Sequence, residues 1–260
     1  MGNKSKIAPI IESYFPPHDC YIEPFFGAGG MFFNKKLAPY NILNDLDSDV
    51  YNLFNILTDE KLYSELCKLA EITPVHDNLW NHWKINLEQD PVKKAMRFLY
   101  LSNYGLYGKT NTLKVHTDSN AKKIMLANLE AIKDRLKFCI FTNRDFRKCL
   151  QATRGRSENE KIFIYCDPPY LGTDNNYSDS FKKQDFVDLL DSLDGFVKKY
   201  FNSSYAISEF DHPFVLESAK GRGLNIIYLG ERQAIKKRAN EILITNYENL
   251  QLSIFNQKTG

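Results

Sequence analysis

An acid, two prolines and a tyrosine stand directly after an apolar run: IFIYC, residues 162–166, leads into Asp167-Pro168-Pro169-Tyr170. Consecutive prolines fix φ and donate no backbone hydrogen bonds. They stop a strand abruptly and hold the flanking residues in a stiff pose. A stiff carboxylate beside a stiff aromatic ring makes a clamp for a flat, polar ligand. The same residues also make an ordinary turn, and the tetrapeptide alone leaves both readings open.

In an open parallel sheet, ligands bind outside the carboxyl ends of the strands, and three further strand ends carry suitable residues. The first apolar run ends in Glu23-Pro24-Phe25-Phe26-Gly27-Ala28-Gly29-Gly30. Its glycines permit a tight turn and close approach of backbone to a ligand. Their spacing is not the GxGxxG of a nicotinamide-binding protein. The second run ends in Asn44-Asp45, where an acid accepts from ribose hydroxyls or caps the next helix. A later run ends in NRDF, residues 143–146. There Asp145 can accept from an adenine amino group or stand as a solvated acid, and Phe146 can stack on a base. Each element is weak alone; all of them at strand ends, in this order, point to one site.

Those ends need strands. CYIEPF (20–25), YNIL (40–43), FCIF (138–141), IFIYC, SYAIS (204–208), NIIYLG (225–230) and EILITNY (241–247) read as strands. GMFFNKKLA (30–38) reads as helical. Asp47 or Ser48 caps a helix whose apolar positions are Val50, Leu53, Phe54 and Leu57. The β-α-β-α opening and its later resumption imply an α/β fold: a Rossmann-like, doubly wound, mostly parallel seven-stranded sheet. Between residues 59 and 136 the pattern is mainly helical, so the chain divides into 1–58 with 137–260 and an inserted lobe, 59–136. Trp80 and Trp83, at i and i+3, read as helix packing.

Basic and acidic residues nearly balance, 34 against 32, so any polyanion must be met by a local patch such as RDFRK (144–148) rather than by a field of the whole molecule. Five cysteines show no zinc spacing, and Cys20, Cys139 and Cys166 sit in apolar runs as core residues. The five histidines show no ligand spacing and read as surface or helix residues. No apolar run approaches the ~20 residues that cross a bilayer. The picture is a reduced, intracellular protein.

With these residues in view, the chain resembles the Dam-type (D12 class, alpha group) S-adenosylmethionine-dependent DNA adenine-N6 methyltransferases. The likeness spans nearly the whole length. GNK (2–4) resembles the family's amino-terminal cofactor segment, EPFFGAGGMFFN (23–34) its cofactor loop, NDLDSDVYNLF its ribose segment, NRDF its adenosine segment, DPPY its catalytic tetrapeptide, and the stretch 232–247 its closing hairpin. The resemblance implies a class I methyltransferase fold and S-adenosyl-L-methionine as cofactor, held by Lys4, Glu23, Pro24, Phe25, Phe26, Gly27, Ala28, Gly29, Gly30, Asp45, Asp145, Phe146 and Asp167. It implies direct methyl transfer to an adenine flipped out of duplex DNA, with no metal. Asp167 and the Pro168 carbonyl would accept the two amino hydrogens, Pro169 would stiffen the corner, and Tyr170 would stack on the base. The loop 171–181 is placed to close over the base, with Tyr177 and Phe181 packing there or anchoring the loop.

The insertion is where this family places DNA recognition. The candidates are Asn103, Tyr104, Tyr107, Lys109, Thr110 and Asn111, side chains of the kinds that read base edges; a packed turn with Tyr104 and Tyr107 in a local core is the alternative. Gly108-Lys109 stands where GATC-methylating relatives carry an Arg, which argues against GATC. Ser208-Glu209 stands where relatives often have Ser-Asn, a departure expected to alter loop contacts rather than chemistry. The resemblance also implies a cytoplasmic, nucleoid-associated protein of bacterial or phage type, either paired with a restriction endonuclease or standing alone. RNA adenine and cytosine N4 remain alternative targets, as does a catalytically silent nucleic-acid-binding relative.

Overall fold

The computed structural model describes residues 4–105, 113, 121–171, 181–233 and 238–248. The candidates Tyr107, Lys109, Thr110, Asn111 and Tyr177 lie outside them. Seven strands, β1 Cys20–Glu23, β2 Tyr40–Asn44, β3 Cys139–Thr142, β4 Ile162–Cys166, β5 Ser203–Phe210, β6 Asn225–Gln233 and β7 Arg238–Thr245, form one sheet in the order β3-β2-β1-β4-β5-β7-β6. β1 runs parallel to β2 and β4, and β4 parallel to β5, while β7 is antiparallel to β5 and β6. This is the mostly parallel, doubly wound sheet expected. The strand order reverses between β1 and β4, which is where such a sheet opens its ligand crevice.

The chain divides into two compact units. The first holds β1, β2 and β4–β7 with helices α1 Ala8–Glu12, α7 Phe146–Ala152, α8 Lys183–Lys199 and α9 Pro213–Gly221. β1 and β4 are buried at every position, which suits strands apolar throughout and covered on both faces. Alternation splits them. Ile22, Ile164, Cys166 and Ile207 face a core filled by Phe146, Leu150, Phe186, Leu189 and Leu193 of α7 and α8. Tyr21, Phe163 and Tyr165 face the other way, where Phe15 and His18 pack on them. His18 is therefore half-buried rather than a surface residue, and burial lowers its pKa.

The second unit holds β3, the turn 27–29 and helices α2 Ser48–Leu57, α3 Glu60–Ile72, α4 Asp77–Ile85, α5 Pro91–Tyr104 and α6 Ala121–Leu136. Asp47, Asp59 and Asp90 cap α2, α3 and α5, each accepting first-turn backbone N–H groups. α5 is central. Its Tyr100 receives Trp80 and Trp83 of α4 at ring separations of 6.1 and 5.0 Å, the helix packing expected of them. Arg97 is tied down by bonds from Nε to the carbonyls of Trp83 and Asn86 at 2.7 and 2.9 Å.

Three further expectations change. Residues 30–38 form only a one-turn 3-10 helix, Phe32–Asn34. Met31 supplies no side-chain cap, Lys35 is extended (φ −106°, ψ 163°), and Phe32 and Phe33 pack against Phe26. Tertiary aromatic contacts override the local pattern. Cys139 is half-buried on an edge strand rather than in the core. β5 runs two residues past the expected end, so Glu209 is a strand residue.

Asn44, wholly buried, closes the carboxyl end of β2. Its Nδ2 donates to the carbonyls of Pro24 and Arg144 at 2.9 and 2.8 Å, and its Oδ1 accepts from Arg144 N at 3.0 Å. One amide thus ties the segments after β1 and before α7 to β2. Asn44→Ala strands those three backbone groups, so we expect it to lower unfolding stability by about 2–4 kcal/mol, checked by urea denaturation.

Candidate active site

Asp167-Pro168-Pro169-Tyr170 leaves the carboxyl end of β4. The last paired residue is Cys166, opposite Ile207 of β5. Beyond it the prolines offer no N–H, so side chains must hold the corner. Lys4, buried, places its ammonium 3.3 Å from Asp167 Oδ1 and 4.7 Å from the centre of the Tyr170 ring, and donates to the Tyr170 hydroxyl and to Glu241. Tyr170 Oη donates to Glu241 Oε1 at 2.5 Å, and its ring meets Phe210 edge-on at 4.7 Å. Glu209 Oε1 accepts Leu171 N at 2.8 Å and its Oε2 accepts Phe210 N at 2.7 Å. The chain on either side of Tyr170 is thus fixed by β5 and β7.

The electrostatics follow from burial. Desolvation raises the Asp167 pKa, the Lys4 charge opposes that, and Glu241 adds to it. The Asp167 side chain keeps 23% of its surface exposed, so it is the acid of the corner that a ligand can reach. Burial, and then the Asp167 and Glu241 charges, hold the Tyr170 phenol well above its usual value; it stays a donor. Glu209, fully buried, is pushed up to about 8 by desolvation, against the pull of its two N–H donors.

Of the residues expected to bind a cofactor, Glu23 is buried and accepts from the Tyr21 hydroxyl at 2.8 Å. The Pro24 carbonyl is held by Asn44. Phe25 packs on Phe146 at 5.2 Å and on Phe181 at 6.0 Å, which makes Phe181 a core anchor. Phe26 is buried and donates its N–H to the Asn44 carbonyl. Gly27 and Gly29 have φ of +53° and +70°, the left-handed region, while Ala28 is exposed and the Gly30 carbonyl accepts from Asn34. A Cβ at Gly27 would meet nothing within 4 Å, so the backbone there lies open to an approaching group.

Asp45 holds Gly27 N at 2.6 Å and Asp47 N at 2.8 Å, one per carboxylate oxygen. Each oxygen keeps a second lone pair. Burial raises its pKa, opposed by those N–H bonds. The helix cap at this strand end is Asp47, so Asp45 is not spent on that role. Asp145 caps α7 and accepts twice from Arg147, through backbone N at 2.9 Å and Nη1 at 3.0 Å. Arg147 also meets Asp185 and Asp188 at 2.5 and 2.6 Å, so this member of the basic patch is neutralised internally. Phe146 is 5% exposed. In the lobe, Asn103 is exposed at the end of α5, whereas Tyr104 lies in the lobe's core against Tyr100. Gly105 and Leu113 pair as an isolated antiparallel bridge.

Sequence reasoning missed Glu241 and misjudged Glu209. A lone acid in the apolar run EILIT, and another directly after YAIS, were the available signals: a carboxylate in a central strand is buried, and a buried carboxylate needs partners.

The chain belongs to the D12 class N6 adenine-specific DNA methyltransferases, whose family model matches residues 1–235. It is similar to the DNA adenine methylase of Escherichia coli K12, 26% identical over 215 residues that span 76% of this chain and 75% of that one. The enzyme of that name from Vibrio cholerae is 26% identical, covering 87% and 85%. That from Salmonella typhi is 35% identical, covering 65% and 62%. Among solved structures, a putative methyltransferase complexed with SAH aligns with 95% of this chain and 53% of its own, at 12% identity and a TM-score of 0.38. The protein is an adenine-specific DNA methyltransferase that uses S-adenosylmethionine. No helix among the described residues is long and apolar enough to cross a membrane.

The proton on Glu209 has a measurable consequence. Its folded pKa of about 8 lies above the ordinary 4.5. Between those values the folded chain holds a proton that the unfolded chain has released, so this stabilisation is whole at low pH and is lost as pH rises to about 8. We expect the thermal midpoint of the wild type to fall more steeply across that window than that of Glu209→Gln, measured by calorimetry in matched buffers.

Proposed function

We propose that Asp167, Pro168, Pro169 and Tyr170 are the catalytic corner, acting on an adenine swung out of duplex DNA. The carrying observation is the stapling of this corner, at the sheet's switch point, by Lys4 and Glu241. An exocyclic amine is a poor nucleophile because its lone pair is delocalised into the ring. Asp167, ionised, accepts one N6–H, and the Pro168 carbonyl accepts the other. Those bonds draw the nitrogen towards tetrahedral geometry and free its lone pair. Tyr170, with its hydroxyl anchored on Glu241, offers a ring that cannot swing away from the base. Lys4 keeps Asp167 an acceptor despite burial. The prolines hold both acceptors in place before the base arrives, the positioning part of catalysis.

S-adenosylmethionine, when bound, supplies a methyl group activated by its sulfonium. The open Gly27 backbone suits close approach of such a group, with Ala28, Gly29 and Gly30 completing the turn. Asp45 offers its remaining lone pairs to the ribose hydroxyls. Glu23, Pro24, Phe25 and Phe26 form the strand end that carries the turn, and Asp145 with Phe146 takes the adenine end. The target atom is unreachable inside a duplex, and extruding the base costs a few kcal/mol. Recognition falls to the lobe, residues 59–136, through exposed Asn103 and the sequence candidates Tyr107, Lys109, Thr110 and Asn111.

Asp167→Ala should lower kcat by on the order of 100- to 1,000-fold while S-adenosylmethionine binding, followed by calorimetry, persists. Asp45→Ala should do the reverse, weakening cofactor binding most. Tritium transfer to a panel of DNA and RNA duplexes reads both, and a wild-type kcat for Asp167→Ala would sink the mechanism. Lys4→Met removes the charge that opposes burial, so the Asp167 pKa rises. The acid limb of the kcat–pH profile should then move to higher pH, and a limb that stays put would refute the assignment.

A further inference from the structure

We propose that Glu209 is a positioning residue for methyl transfer: its carboxyl group holds the Leu171 N–H and so fixes the corner 167–170 from strand β5. The inference rests on the catalytic reading of that corner. In the parallel ladder, Cys166 stands opposite Ile207. Continued pairing would set residues 168–170 beside the end of β5, but Pro168 and Pro169 have no N–H to offer. The chain leaves the ladder there, and the Glu209 side chain reaches across to take Leu171 N at 2.8 Å in place of the missing backbone bonds. Its other oxygen takes Phe210 N at 2.7 Å, so the carboxyl group cannot rotate away.

The support behind it is stiff. β5 lies between β4 and β7, with Glu209 opposite Ile242 and Phe210 opposite Glu241. Phe210 presses on the Tyr170 ring and Glu241 holds the Tyr170 hydroxyl. A loose Leu171 would free the backbone that carries the ring. The charged groups bearing on Glu209 are Asp167, which raises its pKa, and Lys4, which lowers it. Burying a carboxylate is unfavourable unless it is fully bonded, and here it spans the catalytic corner and the sheet. A single methylene less would break that span.

The test compares variants of the full chain in steady-state and binding assays. Glu209→Ala should lower kcat on the order of 10- to 100-fold, as a displaced corner does, while KM for DNA and Kd for S-adenosylmethionine stay within about threefold. Glu209→Gln keeps a carbonyl oxygen for Leu171 N but turns its amide NH2 toward Phe210 N, so it should recover kcat part of the way, several-fold above the Ala variant. A Glu209→Ala enzyme within about threefold of wild-type kcat, or a Gln variant as slow as the Ala one, would overturn the role. Should the Ala variant not fold, Glu209→Asp decides. It keeps the carboxyl group but not the reach, so a drop of about tenfold or more supports the proposal and full activity refutes it. Asp167→Ala run alongside separates the two readings: activity there defeats the catalytic assignment itself, whereas loss there with an undisturbed Glu209→Ala defeats only the positioning role.

Discussion

Pro168 and Pro169 impose the constraint on which the rest of the site depends. A Pro-Pro step donates nothing and cannot be drawn back into the ladder. The corner is stiff within itself and unattached to its surroundings until side chains attach it. Three do so from far along the chain: Lys4 from the amino-terminal segment, Glu209 from β5 and Glu241 from β7. Antiparallel pairing of β7 on β5 puts Glu241 opposite Phe210, so one ladder delivers both the carboxylate that grips the Tyr170 hydroxyl and the ring that supports its edge. β7 is therefore part of what shapes the tetrapeptide.

Much of this was legible from the sequence and some was not, for a reason that individual residues show. IFIYC coincides with β4 because a strand covered on both faces leaves an unbroken apolar run. Asp47 marks the start of α2 because capping is a local exchange between a side chain and the next two or three N–H groups. DPPY was visible because prolines act through their own ring. Residues 30–38 were misread because Phe32 and Phe33 answer to Phe26, and Lys35 to Tyr21 across the fold, rather than to helical periodicity. Lys4 was assigned from likeness to a cofactor segment; its observed partners are 166 and 237 residues away. No local pattern encodes such a pairing. Glu209 falls just past the apolar run that ends at Ser208, yet the backbone ladder continues two residues further.

The acids of the corner divide their labour by environment. Asp167, Glu209 and Glu241 surround one ammonium, Lys4, and burial disfavours ionising all three. Lys4 sits against Asp167 and Glu241 and bears on Glu209 only from a distance. Asp167 also retains solvent contact. It is therefore the acid best able to carry a charge and to accept hydrogen from an incoming amine. Glu209 lacks both advantages and keeps its proton through neutral pH. A neutral carboxyl group still accepts from backbone N–H, and it adds no negative charge beside Asp167. An ionised group at position 209 would drive the Asp167 pKa higher and weaken it as an acceptor. The same burial that makes Glu209 a firm anchor thus favours its neutral form and spares Asp167 a second negative charge beside it.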